Sequence, residues 1–135
     1  MPDDWNNGCT MTFKRSCCPI TNVLDILGDK WTLLVIRDLV LGKRRYQEFM
    51  SSPEQIASNI LADRLKQLEA SGLVTRRAYQ QKPVRYEYIL TKKGKGLEPV
   101  LETLVVWGQK HFPGTIVFPR VKRRQGPMNI ATRLS

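Results

Sequence analysis

A helix-forming stretch and two strand-forming stretches follow one another in residues 56–94, IASNILADRLKQLEASGLVTRRAYQQKPVRYEYILTKKG. Apolar residues recur at helical spacing in the first part, which predicts an amphipathic helix that ends at Gly72. This apolar stripe consists of Ile56, Ile60, Leu61, Leu65 and Leu68. Residues 73–77 and 85–90 are then predicted to be the two strands of a β-hairpin. In the second strand apolar and polar side chains alternate, which places Glu87 with Arg85 on the exposed face, opposite Tyr86, Tyr88 and Leu90.

The start of this long helix has two alternatives. Ser52, Pro53 and Gln55 fit the N-cap, the first and the third position of a helix, which favours a start at residue 53. The apolar stripe itself favours a start at residue 57.

Three shorter helices are predicted before this stretch. Apolar spacing indicates a first helix over residues 20–27, and Gly28 ends it. Asp29 is a suitable N-cap for a second helix over residues 30–41. A third, short helix is predicted from Arg45 to Met50.

A last helix is predicted over residues 94–111, after a turn that Thr91 caps. Helices followed by a hairpin and a final helix are the order of a winged helix-turn-helix. The predicted fold class is therefore α+β and mainly helical, with a two-stranded wing and a C-terminal dimerisation helix.

The apolar stripe of the last helix is too wide for one small domain to cover. It consists of Leu97, Val100, Leu101, Leu104 and Val105, and Trp107 follows. Exposed aliphatic side chains favour association, since burying each one is worth roughly 1.5–3 kcal/mol. The stripe therefore predicts a homodimer interface, together with the helix of residues 20–27.

Composition restricts the class of protein. The chain has 135 residues, 41% of them hydrophobic, and a formal net charge of +10. It is therefore neither disordered by composition nor a membrane protein, and its acidic, polar start predicts no signal peptide, so we expect a cytoplasmic protein. The positive charge indicates a polyanionic partner, most commonly nucleic acid.

The charge also suggests how the chain is divided. Residues 19–111 form the predicted domain, preceded by an N-terminal arm of residues 1–18. Residues 112–135 carry five cations and no acid, with prolines and glycines between them. This composition predicts a basic, flexible tail.

No pattern in the sequence predicts an enzyme. His111 is the single histidine, and no phosphate-binding glycine loop or zinc spacing is present, so no catalytic residue, cofactor or metal is expected. Cys9, Cys17 and Cys18 are an odd number of cysteines, which predicts reduced thiols.

The chain resembles the HxlR-type winged helix-turn-helix transcriptional regulators of bacteria. The resemblance lies in Cys18-Pro19, LGDKWT at 27–32, GKRRYQEF at 42–49, LADRLKQLE at 61–69, GLV at 72–74, PVRYEYILTKKG at 83–94 and Trp107-Gly108. It implies a homodimeric, sequence-specific regulator that binds a palindromic double-stranded DNA operator through two winged modules. It also implies that the long helix that ends at Gly72 reads the DNA.

Candidate DNA contacts follow from this resemblance and from side-chain chemistry. The residues expected to read bases are Ser58, Asn59, Asp63 and Lys66. Asp63 has an alternative role, since its carboxylate could instead orient Arg64. The residues expected to bind phosphate are Lys43, Arg44, Arg45, Lys82 and Arg85. An ordinary solvated helix face is the alternative for the first set, and a solvated charge run is the alternative for the basic triplet.

Cys18 is a candidate redox sensor, because some members of the family carry a sensing thiol at this position. Lys14, Arg15 and a helix N-terminus would lower its pKa. The alternative is a small buried hydrophobic residue. Whether the effector is an oxidant or a small molecule stays open.

Two other functions remain as alternatives. An RNA-binding accessory protein could use the same winged helix and basic tail, and Tyr79 is the exposed aromatic candidate for stacking on bases. A scaffold for protein interactions could use the fold without nucleic acid.

Overall fold

The computed structural model describes residues 12–121, in which six helices and one antiparallel hairpin follow the predicted order. The elements are α1 (Pro19–Leu27), α2 (Thr32–Val40), α3 (Tyr46–Met50), α4 (Ser58–Ala70), β1 (Val74–Gln81), β2 (Val84–Leu90), α5 (Lys92–Lys95) and α6 (Glu98–His111). None of the helices within residues 12–121 combines the length and the apolar composition that crossing a bilayer requires.

The hydrophobic core lies between α2, α3 and α4, and the base of the hairpin closes it. The apolar stripe predicted for α4 points inward, and its leucines 61, 65 and 68 are fully buried. They pack against Val35, Ile36 and Leu39 of α2, Phe49 of α3, and Ile56, Leu73, Val74 and Tyr88. The other face of α4 is consequently left to solvent.

The hairpin is longer than the sequence predicts. β1 and β2 pair antiparallel from Val74 opposite Leu90 to Gln81 opposite Val84, with an irregularity between Ala78 and Gln80. Glu87 is 6% exposed, so its predicted position on the exposed face is wrong. Arginine side chains surround its carboxylate, and local alternation cannot reveal such contacts.

The starts of α2 and α4 are set by specific polar contacts. Asp29 Oδ2 accepts hydrogen bonds from the backbone N–H groups of Trp31 (2.9 Å) and Thr32 (3.0 Å), although the helix begins two residues later than predicted. The alternative start of α4 at residue 53 is wrong. Gln55 has a positive φ of 57°, which interrupts a helix, and the hydroxyl of buried Ser52 donates to Asp38 Oδ2 (2.7 Å).

The helix predicted over residues 94–111 is divided into α5 and α6. Thr91 caps α5 by accepting a hydrogen bond from Gly94 N (3.1 Å), and its own N–H donates to Leu73 O (3.0 Å). A Cβ atom at Gly94 would lie 2.1 Å from that same carbonyl oxygen, so only glycine fits here. This contact joins the end of β2 tightly to the residues that follow α4.

Residues 116–121 of the predicted flexible tail lie against the domain. Arg120 Nη1 donates to Val40 O (2.6 Å), and Val121 N donates to Leu41 O (2.7 Å). The guanidinium carbon of Arg37 lies 5.0 Å from the centre of the Phe118 ring. Proline and glycine prevent a helix here but allow an extended segment, and residues 116–121 form such a segment, docked on the domain. The flexible tail itself stays a prediction. Residues 122–135 lie outside the described part.

Candidate nucleic-acid interface

The exposed face of α4 carries the four side chains predicted to read bases. Ser58, Asn59, Asp63 and Lys66 are all exposed, and the buried leucines lie on the other side of the helix. Asp63 is already engaged, since its Oδ2 accepts hydrogen bonds from Arg64 Nη1 and from Gln67 Nε2 (2.9 Å). The structure thus gives Asp63 the orienting contact to Arg64 that the sequence offered as an alternative.

Arg64 fixes the position of α4 relative to the start of α2. Its Nε donates to Asp29 Oδ2 at 2.8 Å. Burial alone would raise the pKa of Asp29, but hydrogen bonds from Thr32, Arg64 and two backbone amides outweigh it and lower that pKa. The charged carboxylate therefore stabilises both the helix start and the tie to α4.

The basic triplet that precedes α3 does not present three free cations. The Lys43 ammonium donates to Ser52 Oγ and lies 3.9 Å from Asp38 Oδ1, and its side chain is only 17% exposed. The backbone amides of Arg44 and Arg45 donate to Glu48 Oε1 at 2.9 and 3.0 Å. Lys43 and these two amides are therefore occupied by contacts within the protein. The side chains of Arg44 and Arg45 are left as the candidates of this triplet for phosphate binding.

Arg45 contacts the wing through two partners. Its guanidinium carbon stacks 3.6 Å from the centre of the Tyr79 ring, and its Nε lies 3.6 Å from Glu87 Oε2. The other carboxylate oxygen of Glu87 accepts a hydrogen bond from Arg77 Nε (2.8 Å). We call Arg45, Arg77 and Glu87 the arginine cluster.

The electrostatics of the arginine cluster keep Glu87 ionised. Burial raises the pKa of this carboxyl, but the hydrogen bond from Arg77 and the charges of Arg77, Arg44 and Arg45 outweigh burial, and the net effect is a lowered pKa. The arginine side chains are 44% (Arg45) and 61% (Arg77) exposed, so both present surface to solvent beside the wing.

The predicted phosphate contacts of the wing are accessible. Lys82, at the turn, and Arg85, in β2, are both exposed. The sequence reasoning missed Arg77, which is exposed and belongs to the arginine cluster. The signal was present in the pair Arg76-Arg77, since two consecutive cations in a strand place one on each face of the hairpin.

Cys18 is the N-cap residue of α1, and its thiol is free and exposed. Hydrogen bonds from the backbone and the side chain of Thr21, and from the backbone of Ile20, lower its pKa. The alternative of a buried hydrophobic residue is therefore wrong. Cys17 is disulfide-bonded, so the prediction of a reduced thiol is wrong for Cys17.

The residues predicted for the dimer interface lie on different sides of α6. Leu97 and Leu101 pack against the core of their own domain. Val100 and Leu104 are 42% and 48% exposed, and Trp107 is 58% exposed. A groove of about 520 Å³ lies between α2, α6 and residues 116–118, and Val105 lines it. Helix α1 exposes further apolar side chains, which are Ile20, Val23 and Leu24.

Comparison with known proteins identifies relatives over most of the chain. The model of the HxlR-like helix-turn-helix family matches residues 26–115. The uncharacterized HTH-type transcriptional regulator YdeP of Bacillus subtilis is 38% identical over 94 residues, which cover 70% of this chain and 73% of YdeP.

Solved structures of regulators have the same fold. The reduced form of the transcriptional regulator YodB from B. subtilis has a TM-score of 0.60 at 31% identity, covering 73% of this chain and 98% of YodB. The redox regulator HypR in its reduced form has a TM-score of 0.65 at 34% identity, covering 71% of this chain and 95% of HypR. These likenesses confirm the winged helix-turn-helix prediction. Because the relatives are regulators, they also confirm that the chain is not an enzyme.

Proposed function

The chain belongs to the HxlR-like helix-turn-helix family of transcriptional regulators, and we propose that it binds a palindromic DNA operator as a sequence-specific homodimer. The observation that carries this proposal is the polar face of α4 beside exposed cations. Ser58, Asn59 and Lys66 can meet base edges in a major groove, and Asp63 positions Arg64 and Gln67 next to them.

The phosphate contacts of the proposal come from α3 and the wing. We assign this role to Arg44, Arg45, Lys82 and Arg85, and we add Arg77. Lys43 is left out, because its ammonium is held by Asp38 and Ser52. The basic residues beyond Val121 would add affinity without sequence preference, since phosphate contacts carry no base information.

The homodimer of the proposal uses the apolar side of α6 that its own domain leaves exposed. Val100, Leu104 and Trp107 would meet the same surface of a second copy, with α1 alongside. Two α4 helices held in this way would read half-sites whose centres lie about one helical turn of DNA apart, or a multiple of it. We place this activity in the cytoplasm, where bacterial DNA is found.

Control by oxidation is part of the proposal, through Cys18. The support is local: an exposed thiol whose pKa is lowered at the start of α1 has more of the reactive thiolate at neutral pH. HypR is named a redox regulator, which makes the same kind of control reasonable here. A small-molecule effector is the alternative signal.

RNA binding is the weaker function for this surface. Tyr79, which could have stacked on a base, has the guanidinium of Arg45 on one face of its ring. The polar side chains of α4 are better suited to base edges in a DNA major groove.

The test measures binding to a palindrome selected from random DNA and to unrelated DNA. Asn59→Ala should lose roughly 1–3 kcal/mol of preference for the selected site, because a base contact is removed. Lys82→Ala should weaken binding to both DNAs by the same factor. Equal loss on both DNAs for Asn59→Ala would contradict the assignment of α4. Binding to a matched RNA duplex but not to DNA would contradict the proposed function.

A further inference from the structure

Glu87 is a carboxylate in an unexpected place for a DNA-binding surface. Its side chain is 8% exposed, and it lies between two exposed arginines that come from different elements. Arg45 precedes α3, and Arg77 belongs to β1. Negative charge beside phosphate lowers affinity through Coulomb repulsion, so its presence here needs a reason.

The geometry of the arginine cluster supplies that reason. Arg77 uses its Nε to bind Glu87 Oε1 at 2.8 Å, so its two terminal nitrogens stay available. Arg45 also turns its Nε toward Glu87, at 3.6 Å, while Tyr79 supports one face of its guanidinium. A guanidinium held at one edge offers its remaining N–H groups in a fixed direction, which suits two-pronged binding of a phosphate.

The backbone joins the same two elements. Tyr88 N, next to Glu87 in β2, donates to Arg44 O at 2.8 Å. The start of α3 and the wing therefore meet through a backbone hydrogen bond and through Glu87. Both arginines are held on one piece of structure.

We infer that Glu87 is a positioning residue that holds Arg45 and Arg77 as a two-arginine clamp for one phosphate of the DNA backbone. The inference rests on the proposed DNA-binding function and adds a role for an acidic residue within it. Glu87 acts through the two arginines and does not itself touch DNA. The clamp reads no base, so it contributes the same affinity to every sequence.

The direction in which a charge-neutralising substitution changes the affinity for DNA separates this role from simple electrostatics. Glu87→Gln removes one negative charge, and Coulomb attraction alone predicts tighter binding to DNA and no loss on any sequence. Loss of the positioning role instead predicts weaker binding to DNA. Unrestrained arginines must be ordered on binding, and the expected loss is about tenfold on operator and random DNA alike, comparable to misplacing a hydrogen bond to a charged group.

The experiment measures DNA affinity of the full chain for wild type, Glu87→Gln and Glu102→Gln. Glu102 lies on α6 and is exposed, so Glu102→Gln makes the same change in charge away from the wing and should bind as wild type or slightly tighter. Glu87→Gln should bind about tenfold more weakly on both DNAs. Equal or tighter binding by Glu87→Gln would overturn the inference and leave the proposed function intact. If wild type binds no DNA, the proposed function itself fails.

A second variant covers the case in which Glu87→Gln fails to fold, which thermal unfolding would reveal. Arg77→Lys changes an exposed side chain and keeps its charge, but it lacks the planar fork. The clamp predicts that Arg77→Lys loses about as much affinity as Glu87→Gln on both DNAs. Wild-type affinity for Arg77→Lys would show that only the charge matters and would contradict the clamp.

Discussion

Cys18 combines exposure with a lowered pKa, and these two properties determine how fast a thiol reacts. Only the thiolate attacks oxidants and electrophiles, and hydrogen bonds from Thr21 and Ile20 favour the thiolate of Cys18. We expect a thiol-specific oxidant such as diamide to change the operator affinity of wild type and to leave Cys18→Ser unaffected. A DNA-shift titration measures this difference.

The control for this prediction is Cys17→Ser, because Cys17 is disulfide-bonded in the structure. It distinguishes a response of the free thiol from a response of the existing disulfide. Identical oxidant responses of wild type and Cys18→Ser would remove Cys18 as the sensor.

Single residues also show where sequence reasoning stops. The sequence alone does not distinguish the three cations of Lys43-Arg44-Arg45. In the structure Lys43 points inward to Ser52, and Arg45 stacks on Tyr79. The position of Asp38 and Ser52 relative to Lys43 depends on how α2 packs against the loop before α4. Local composition carries no information about that packing.

At the scale of elements, Asp29 links the start of α2 to α4 and makes this link sensitive to acid. A carboxylate whose pKa is lowered by folding contributes stability that is complete above its ordinary pKa of about 3.9 and is lost as the pH falls below it. Asp29→Asn should therefore unfold at a lower temperature than wild type at neutral pH, and the difference should shrink in acid. Thermal unfolding at several pH values measures this.

Comparing Asp29→Asn with wild type cancels the contribution of the other titrating groups to the pH dependence of stability. Folding also lowers the pKa of Glu54 and Glu87, but these residues titrate in both wild type and Asp29→Asn. Glu102→Gln removes an exposed carboxylate on α6 and serves as the control for a loss of charge away from Asp29. A pH-independent difference for Asp29→Asn would contradict the prediction.

The elements themselves were largely predictable, because their signals are local. The stripe of α4 and the presence of two paired strands follow from the local sequence alone, and both were confirmed. The division of the last helix was missed although its signals are local, since Gly96 ends α5 and Pro99 lies in the first turn of α6. The buried position of Glu87 was missed because it depends on a contact with Arg45, which lies far from it in sequence.

At the scale of the whole molecule, the exposed apolar side of α6 predicts the oligomeric state. Sedimentation of wild type should give about twice the chain mass of 15.6 kDa. Val100→Glu combined with Leu104→Glu should yield monomers with much weaker operator binding, because two charges would be buried at the interface. Leu101 is unsuitable for this test, since it packs against its own core.

Val117→Glu provides a matched control for the dimer prediction. Val117 is 56% exposed and belongs to the docked segment, on the groove side of α6 rather than on the side of Val100. It should leave the dimer intact. A dimer that survives the double substitution and dissociates with Val117→Glu would place the interface on the groove instead.

The basic residues after Val121 should affect affinity but not specificity. Truncation after Val121 removes four cations, namely Lys122, Arg123, Arg124 and Arg133. The slope of log K against log salt should then become shallower, by up to about 0.9 for each lost phosphate contact, while operator preference is kept. Truncation after Gly114 is a poor alternative, because it also removes Arg120 and Val121, which bind the end of α2. An unchanged slope would exclude a DNA-binding role for these residues.

The tight contact between Gly94 and Leu73 has a consequence for how a signal could reach DNA. The end of α4 and the start of α5 are linked there by Thr91, whose hydroxyl also donates to Gly72 O at 2.6 Å. In a dimer joined through α6, a small rotation between the two copies would move both reading surfaces as rigid bodies and change their spacing. An effector could therefore switch operator binding by changing the angle between subunits, with each domain keeping its own internal structure.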